Sequence, residues 1–379
     1  MSFLEYRVKL APTGLRKILY LNWPLVLLVT AVASVGFLML YSIAGGNLDT
    51  WARPQMERFG VGMVLMFMVA LTPIWFWRSM SGVAYIVAFL LLIVVEFFGT
   101  VGMGAQRWID LGFIRLQPSE MMKFTLVMLL AVYYDWLDPK LVSRPLYVLL
   151  PVLMIVTPTV LVLMQPNLGT SLMLLLAGGT VMFAAGVSLW YFGAVISLGV
   201  AAVVGVFTLR GTQWQFLHDY QYKRIDTFLD PAADPLGAGY NIIQAKIALG
   251  SGGWSGKGFM QGTQSQLNFL PEKHTDFIFN TLAEEFGFVG GMSLLLLYVL
   301  ILFFCFASAL SNKDRFAAIV TYGIATAFFL LIAVNMGMVM GMMPVVGVPL
   351  PLVSYGGTSM IIMLLGFGLV QSAHIHRPR

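Results

Sequence analysis

Charge is scarce in this chain: Asp, Glu, Lys and Arg make up 10% of its 379 residues, against about 25% in an ordinary soluble domain. That scarcity excludes a water-soluble globular protein. Cysteine is nearly absent, and with Cys305 alone no internal disulfide can form, so a disulfide-stapled fold and dithiol redox chemistry are excluded. His274 has no second His or Cys at metal-ligand spacing, so it reads as an interfacial hydrogen-bonding residue rather than a ligand. Basic residues do not interleave with aromatic ones as a nucleic-acid surface requires, and nucleic acid is not expected as a partner. Solenoid periods, low-complexity tracts and Walker or Rossmann glycine patterns are lacking as well.

What the chain has instead is apolar sequence: 59% of its residues are hydrophobic and its mean hydropathy is +0.85. Runs of about 20 apolar residues cross a bilayer as helices. They recur near Pro24–Ala44, Phe59–Trp77, Gly82–Met103, Glu120–Trp136, Leu146–Met164, Leu168–Val187, Leu189–Leu209, Phe277–Phe306, Phe316–Met342 and Leu352–Ala373. The expected fold is therefore all-α, a polytopic transmembrane bundle of about ten spans forming one domain over residues 1–379. The first run is too long for a signal-peptide core and no small-residue cleavage site follows it, so it is expected to be retained.

Short cytoplasmic loops are enriched in Lys and Arg. Placing both termini in the cytoplasm puts Arg7, Lys9, Arg16, Lys17, Arg78, Lys140, Arg144, Lys313, Arg315, Arg377 and Arg379 inside. Arg53, Arg58, Arg107 and Arg115 then stand in short outer loops, and a long extracytoplasmic loop, about residues 210–275, joins spans seven and eight. The net charge of +5 follows from this topology and from contact with anionic lipid. Within the long loop, "NIIQAKIALG" places apolar residues at helical spacing around Gln244 and Lys246, as in a helix lying in the interface. The following "GSGGWSGKG" reads either as a turn or as a backbone cradle for phosphate.

Two stretches carry ionisable groups at a membrane boundary. In "RLQPSEMMKF", Glu120 and Lys123 are three residues apart and share a helix face. Lys123 lies about a turn deeper in the apolar region, where it needs a partner or a wet cavity. The pair serves either as an internal brace or as substrate machinery. In "FLPEKHTDFIF", Asp276 is the last acid before the apolar run. Desolvation raises the pKa of such a group while Lys273 and His274 pull it down, a balance suited to a general base; alternatively Thr275 or Asp276 caps the helix that follows. Glu96, Gln165, Asn167, Glu284, Glu285, Asn335 and Ser354 also need satisfaction in a dry setting, and "MMPVVGVPLPLVSYGG" breaks helix geometry where a cavity wall is tolerated.

Six motifs together, "QRWIDLG", "RLQPSEMMKF", "QPNLGTS", "DPLGAGYNIIQAKIALGSGG", "GTQSQLNFLPEKHTDFIF" and "MPVVGVPLPLVSYGG", resemble the SEDS family, which contains the RodA and FtsW branches. The outer-loop motifs are most similar to the RodA, rod-shape-determining branch. The resemblance implies a peptidoglycan glycosyltransferase that polymerises lipid II during cell elongation in the bacterial cytoplasmic membrane. It also implies a class B penicillin-binding protein and other elongation-complex membrane proteins as partners. Asp276 matches the family's essential aspartate and is the expected catalytic base, or alternatively the ligand of a divalent cation (Mg2+ or Mn2+). Glu120, Lys123, Arg115 and Gln117 match its paired charges and preceding loop, and with His274, Lys273, Lys246 and Ser354 they make up the expected substrate-binding set. No organic cofactor is implied. A lipid II flippase and a non-catalytic scaffold are the alternatives, and the flippase fits less well because transporters bind near the midplane.

Overall fold

In lipid every backbone N–H and C=O must find a partner within the protein, so apolar runs fold as helices. The computed structural model describes residues 14–102, 105–110, 112, 115–212, 215, 219–231, 238–267, 269 and 272–377. Its helices are α1 Trp23–Ile43, α2 Ala52–Leu71, α3 Ile74–Phe98, α4 Pro118–Trp136, α5 Pro145–Met164, α6 Leu168–Ala184 and α7 Leu189–Thr208. The loop region adds α8 Asp219–Leu229, α9 Ala238–Ser251 and α10 Thr263–Gln266, and the chain closes with α11 Ile278–Leu310, α12 Arg315–Val339 and α13 Gly357–Ile375. Seven of these, α1, α3, α5, α7, α11, α12 and α13, are long and apolar enough to cross a membrane. The expected second, fourth and sixth spans correspond to α2, α4 and α6; α2 and α4 carry Arg53, Glu57 and Arg58 or Glu120, Lys123 and Asp135, and α6 has 17 residues.

Several expected boundaries are corrected; the last span, for one, starts at Gly357 rather than Leu352. The second helix starts at Ala52 rather than Phe59, because Arg53 sits in its first turn, where it pairs with Asp49 and Glu57 at 3.0 and 3.3 Å. It stops at Leu71 because Pro73 cannot continue it, and the third helix then runs Ile74–Phe98 instead of Gly82–Met103. Beyond Gly99 the chain forms a small antiparallel meander, β1 Thr100–Gly102, β2 Ala105–Asp110 and β3 Arg115–Leu116, in the order β1-β2-β3.

Contacts sort the helix ends into two sides. On one side Arg78 donates to both oxygens of Asp314 at 2.8 and 2.7 Å and approaches Asp135 at 3.5 Å, clamping α3, α4 and the start of α12. The opposite side carries the meander, α9, α10 and the 272–277 turn. Here Arg107 donates to the carbonyls of Gln165 and Pro166, and Thr358 Oγ1 to the carbonyl of Arg115. Between the two sides α12 and α13 are mostly buried, whereas α7 buries none of its residues. Lipid tails are as apolar as leucine, so close packing rather than the hydrophobic effect draws such helices together. Gly36 of α1 and Gly169 of α6 illustrate this: a Cβ on either would stand 2.7 Å from the backbone of Val353 or Val346.

Both of those contacts fall on residues 340–356, which have no regular structure between α12 and α13. Neighbouring side chains satisfy this segment's backbone. Tyr298 donates to Pro351 O at 2.7 Å, Gln55 to Ser354 O at 3.0 Å and Asn335 to Val348 O at 2.7 Å, while Ser354 Oγ accepts from Leu350 N at 2.8 Å.

The glycine-rich stretch after α9 is likewise structural. At Gly287 (φ +66°) α11 breaks, so Glu284 and Glu285 lose the amides that would bond their carbonyls. Lys257 N and Gly258 N replace them at 3.0 Å each, while Phe288 N and Val289 N turn to Gly253 O and Trp254 O at 2.8 and 3.2 Å. The loop is spliced into the helix ladder, and the amides of Gly256, Lys257 and Gly258 are taken up by carbonyls. Gly256, at φ +80°, presses against the carbonyl of Glu285 where a Cβ would collide. Gly256→Ala is therefore expected to cost about 1–3 kcal/mol from the left-handed backbone alone, read as a lower Tm in detergent. Gly250→Ala, which meets open space on α9, should melt no lower than wild type.

Candidate active site

The turn Glu272–Phe277 hangs from the irregular segment by three consecutive carbonyls. His274 O accepts from Tyr355 N at 2.9 Å, Thr275 O from Ser354 Oγ at 2.5 Å and Asp276 O from Asn335 Nδ2 at 2.9 Å. With its backbone fixed at successive residues, the turn has little freedom left except in its side chains. The helix cap falls on Phe277, so neither Thr275 nor Asp276 occupies the capping position.

Asp276 is half-buried, and its Oδ2 lies 3.6 Å from where a Cβ on Gly347 would stand. Burial, seconded by the charge of Glu272, pushes its pKa up from 3.8 to about 6. Neither Lys273 nor His274 contributes the expected downward pull. Lys273 Nζ reaches Ser265 O at 2.5 Å, and the His274 ring stacks on Trp51 with centroids 4.2 Å apart and planes at 18°. Desolvation lowers the pKa of both residues, which leaves the imidazole neutral near pH 7. Tyr355 meets Trp51 edge-on at 4.8 Å, and Arg58 lies over the Tyr355 ring at 4.8 Å. The result is a continuous ladder from Arg58 through two aromatic rings to His274.

The second charged cluster lies against the same segment. Glu120 and Lys123 of α4 form a 2.7 Å ion pair and are 8% and 3% exposed. They line a small cavity of about 20 Å³ together with Leu350, Leu352, Ser354 and Ser359, so Lys123 has both the partner and the cavity its sequence position demands. Room for roughly one water is present. Leu352, a non-glycine residue at φ +66°, holds a strained conformation in the cavity wall. Ser354 belongs to both clusters, since it lines the cavity while its hydroxyl holds the turn.

The remaining expected residues are less concentrated. Arg115 is exposed and pairs with Asp110 at 3.5 Å, and Gln117 is half-buried at the head of α4. Lys246 is exposed on α9 and packs across Gly341, at the start of the irregular segment. Sequence reasoning missed Trp51, Tyr355 and Gln55. It also left Arg58 as an ordinary loop charge, although its Nη1 is buried without a hydrogen-bond partner. Nothing in their local pattern marks these residues, because their partners lie far away along the chain. Among the described residues no three His, Cys, Asp or Glu side chains gather as metal ligands, so the donor set does not fit a resident ion held by protein alone.

Comparison with known proteins supplies the family. Residues 21–379 match the model of the FtsW, RodA and SpoVE cell cycle proteins. The chain is 42% identical over 361 residues to the peptidoglycan glycosyltransferase MrdB of Escherichia coli strain K12, covering 94% of each. It is 34% identical over 358 residues to the stage V sporulation protein E of Bacillus subtilis, covering 91% of this chain and 94% of that one. Among solved structures it is similar to a chain of a peptidoglycan synthase complex that coordinates polymerization and crosslinking, with a TM-score of 0.80, 32% identity and coverage of 93% and 97%. It also resembles the rod shape determining protein RodA of Thermus thermophilus, with a TM-score of 0.69, 29% identity and coverage of 95% and 98%. By sequence along nearly its whole length, and by fold, the chain belongs to the FtsW/RodA/SpoVE family.

Proposed function

We propose that this integral membrane protein is a peptidoglycan glycosyltransferase that polymerises lipid II, with Asp276 as its general base. The observation that carries the reading is a half-buried carboxylate, its pKa raised to about 6, fixed at the edge of the bundle against a segment whose far side covers a buried ion pair. Near pH 7 such a group is mostly ionised yet basic enough to accept a proton. It takes the proton of an incoming sugar hydroxyl while that oxygen bonds the anomeric carbon of the neighbouring disaccharide. The anomeric C–O bond to the lipid pyrophosphate breaks with inversion, and the pyrophosphate leaves with the electron pair. Lys123 and Arg115 are the cations we assign to that diphosphate, with arginine suited to bidentate phosphate contact. Glu120, Gln117, His274, Lys273, Lys246 and Ser354 surround the two head groups. Holding a divalent cation is the alternative to the base role for Asp276, and the absence of a three-ligand set among the described residues favours the base.

The likeness to a synthase complex that couples polymerization to crosslinking supports a class B penicillin-binding protein as partner, beside other elongation-complex proteins. The basic residues at the Arg78 side support cytoplasmic termini and an outward-facing Asp276, and we assign the ten helices α1–α7 and α11–α13 as crossings of the bacterial cytoplasmic membrane.

The test is polymerisation of fluorescent lipid II by the purified protein with its transpeptidase partner. Asp276→Ala and Asp276→Asn are expected to lose about 100-fold or more in rate; undiminished polymer from both would overturn the base assignment, and translocation without polymer would favour a flippase. The kcat/KM profile should rise with pH through a limb near 6, because only the ionised carboxylate accepts the proton.

Linkage gives a second readout. A folded-state pKa raised from 3.8 to about 6 means that the folded protein binds the extra proton between those values, so Asp276 lowers stability as pH rises through them. Asp276→Asn should therefore melt above wild type beyond pH 6, with the difference shrinking as pH falls toward 4. For the ion pair, Lys123→Ala leaves Glu120 buried and unpaired, at a cost of about 3–5 kcal/mol. The double variant Glu120→Gln, Lys123→Met should melt higher than that single variant while remaining inactive.

A further inference from the structure

Asn335 sits near the end of α12 that meets the 272–277 turn, and it is fully buried. Its amide nitrogen donates twice, to Asp276 O at 2.9 Å and to Val348 O at 2.7 Å. Its oxygen is buried without a hydrogen-bond partner. A side chain that leaves an acceptor unsatisfied in a dry place is kept for its donors, and a primary amide is the neutral group that aims two N–H bonds from one atom at two carbonyls. One of those carbonyls belongs to Asp276 itself. The other follows Gly347, the residue against which the Asp276 carboxylate rests. A single nitrogen thus fixes both the backbone that carries the carboxylate and the wall beside it.

We propose that Asn335 is a positioning residue for the glycosyl transfer: by bonding Asp276 O and Val348 O at once, it sets how the carboxylate stands between water and the irregular segment. The assignment rests on Asp276 being the base. Other charges about that carboxylate are Glu272, Lys273 and His274 on its own turn, and Lys246 of α9, packed over Gly341 where the segment begins. The Glu120–Lys123 pair lines the cavity behind Pro349–Leu352. None of these ties the backbone of Asp276 to Val348; Asn335 does.

The experiment compares full-length wild type, Asn335→Leu, Asn335→Asp and Asp276→Asn, each purified with the partner transpeptidase and assayed on fluorescent lipid II across pH 5–9. Leucine keeps the volume and removes both donors. It is expected to lower kcat per folded molecule about 10- to 100-fold while KM stays within about threefold, and to displace the acid limb. Aspartate keeps the shape and, held protonated in so buried a place, can donate to only one of the two carbonyls, so its kcat should also fall, by about 3- to 30-fold. If Asn335→Leu does not fold, Asn335→Asp decides alone. Wild-type kcat and limb in Asn335→Leu, or in Asn335→Asp where the leucine variant does not fold, with Asp276→Asn inactive, would overturn the positioning role and leave the base intact. An active Asp276→Asn would instead remove the base reading, whatever Asn335 does.

Discussion

The constraint on which the rest depends is the need to satisfy irregular backbone away from water. Residues 340–356 give up the internal hydrogen bonds of a helix, and each carbonyl left unpaired in a dry interior costs about 1–3 kcal/mol. Buried side chains from four elements meet that need: Gln55 from α2, Tyr298 from α11, Asn335 from α12 and Ser354 from the segment itself. Two of them, Asn335 and Ser354, also catch carbonyls of the Asp276 turn. The bonds that make a non-helical wall tolerable are therefore also bonds that fix the backbone of the Asp276 turn.

Both charged clusters lie against the irregular segment. Asp276 rests on one part of the wall at Gly347, and the Glu120–Lys123 cavity lies behind another at Pro349–Leu352. The ion pair satisfies itself with a 2.7 Å bond behind the segment. At the opposite side, Arg78 gathers α3, α4 and α12 through Asp135 and Asp314, and holds the base of the wall's supporting helices.

Much of the fold could be read from hydropathy, since helices long enough to cross a membrane announce themselves as apolar runs. The failures have local causes. Arg53 and Arg58 looked like loop residues, yet Arg53 pairs with Glu57 one helical turn on, so α2 begins with them. The meander after Gly99 is short and carries no turn dipeptide. Glu120 and Lys123 were legible because three residues along a helix is a fixed geometry. The environment of Asp276 was legible only in part. The upward pull of burial could be foreseen from its place beside the apolar run, but only tertiary structure sends Lys273 to Ser265 and His274 to Trp51. Trp51, Tyr355 and Gln55 carry no local signal at all.

The splice at Gly287 has a mechanical consequence. Because amides of the 253–258 loop replace the rungs that α11 lacks, torque does not pass along that helix as along a continuous rod. The stretch Ile278–Phe286 is also joined sideways to the loop, with Lys257 Nζ 2.6 Å from Glu284 Oε1. The top of α11, and the aspartate turn that leads into it, are therefore held by the loop and by the irregular segment rather than by the lower helix alone.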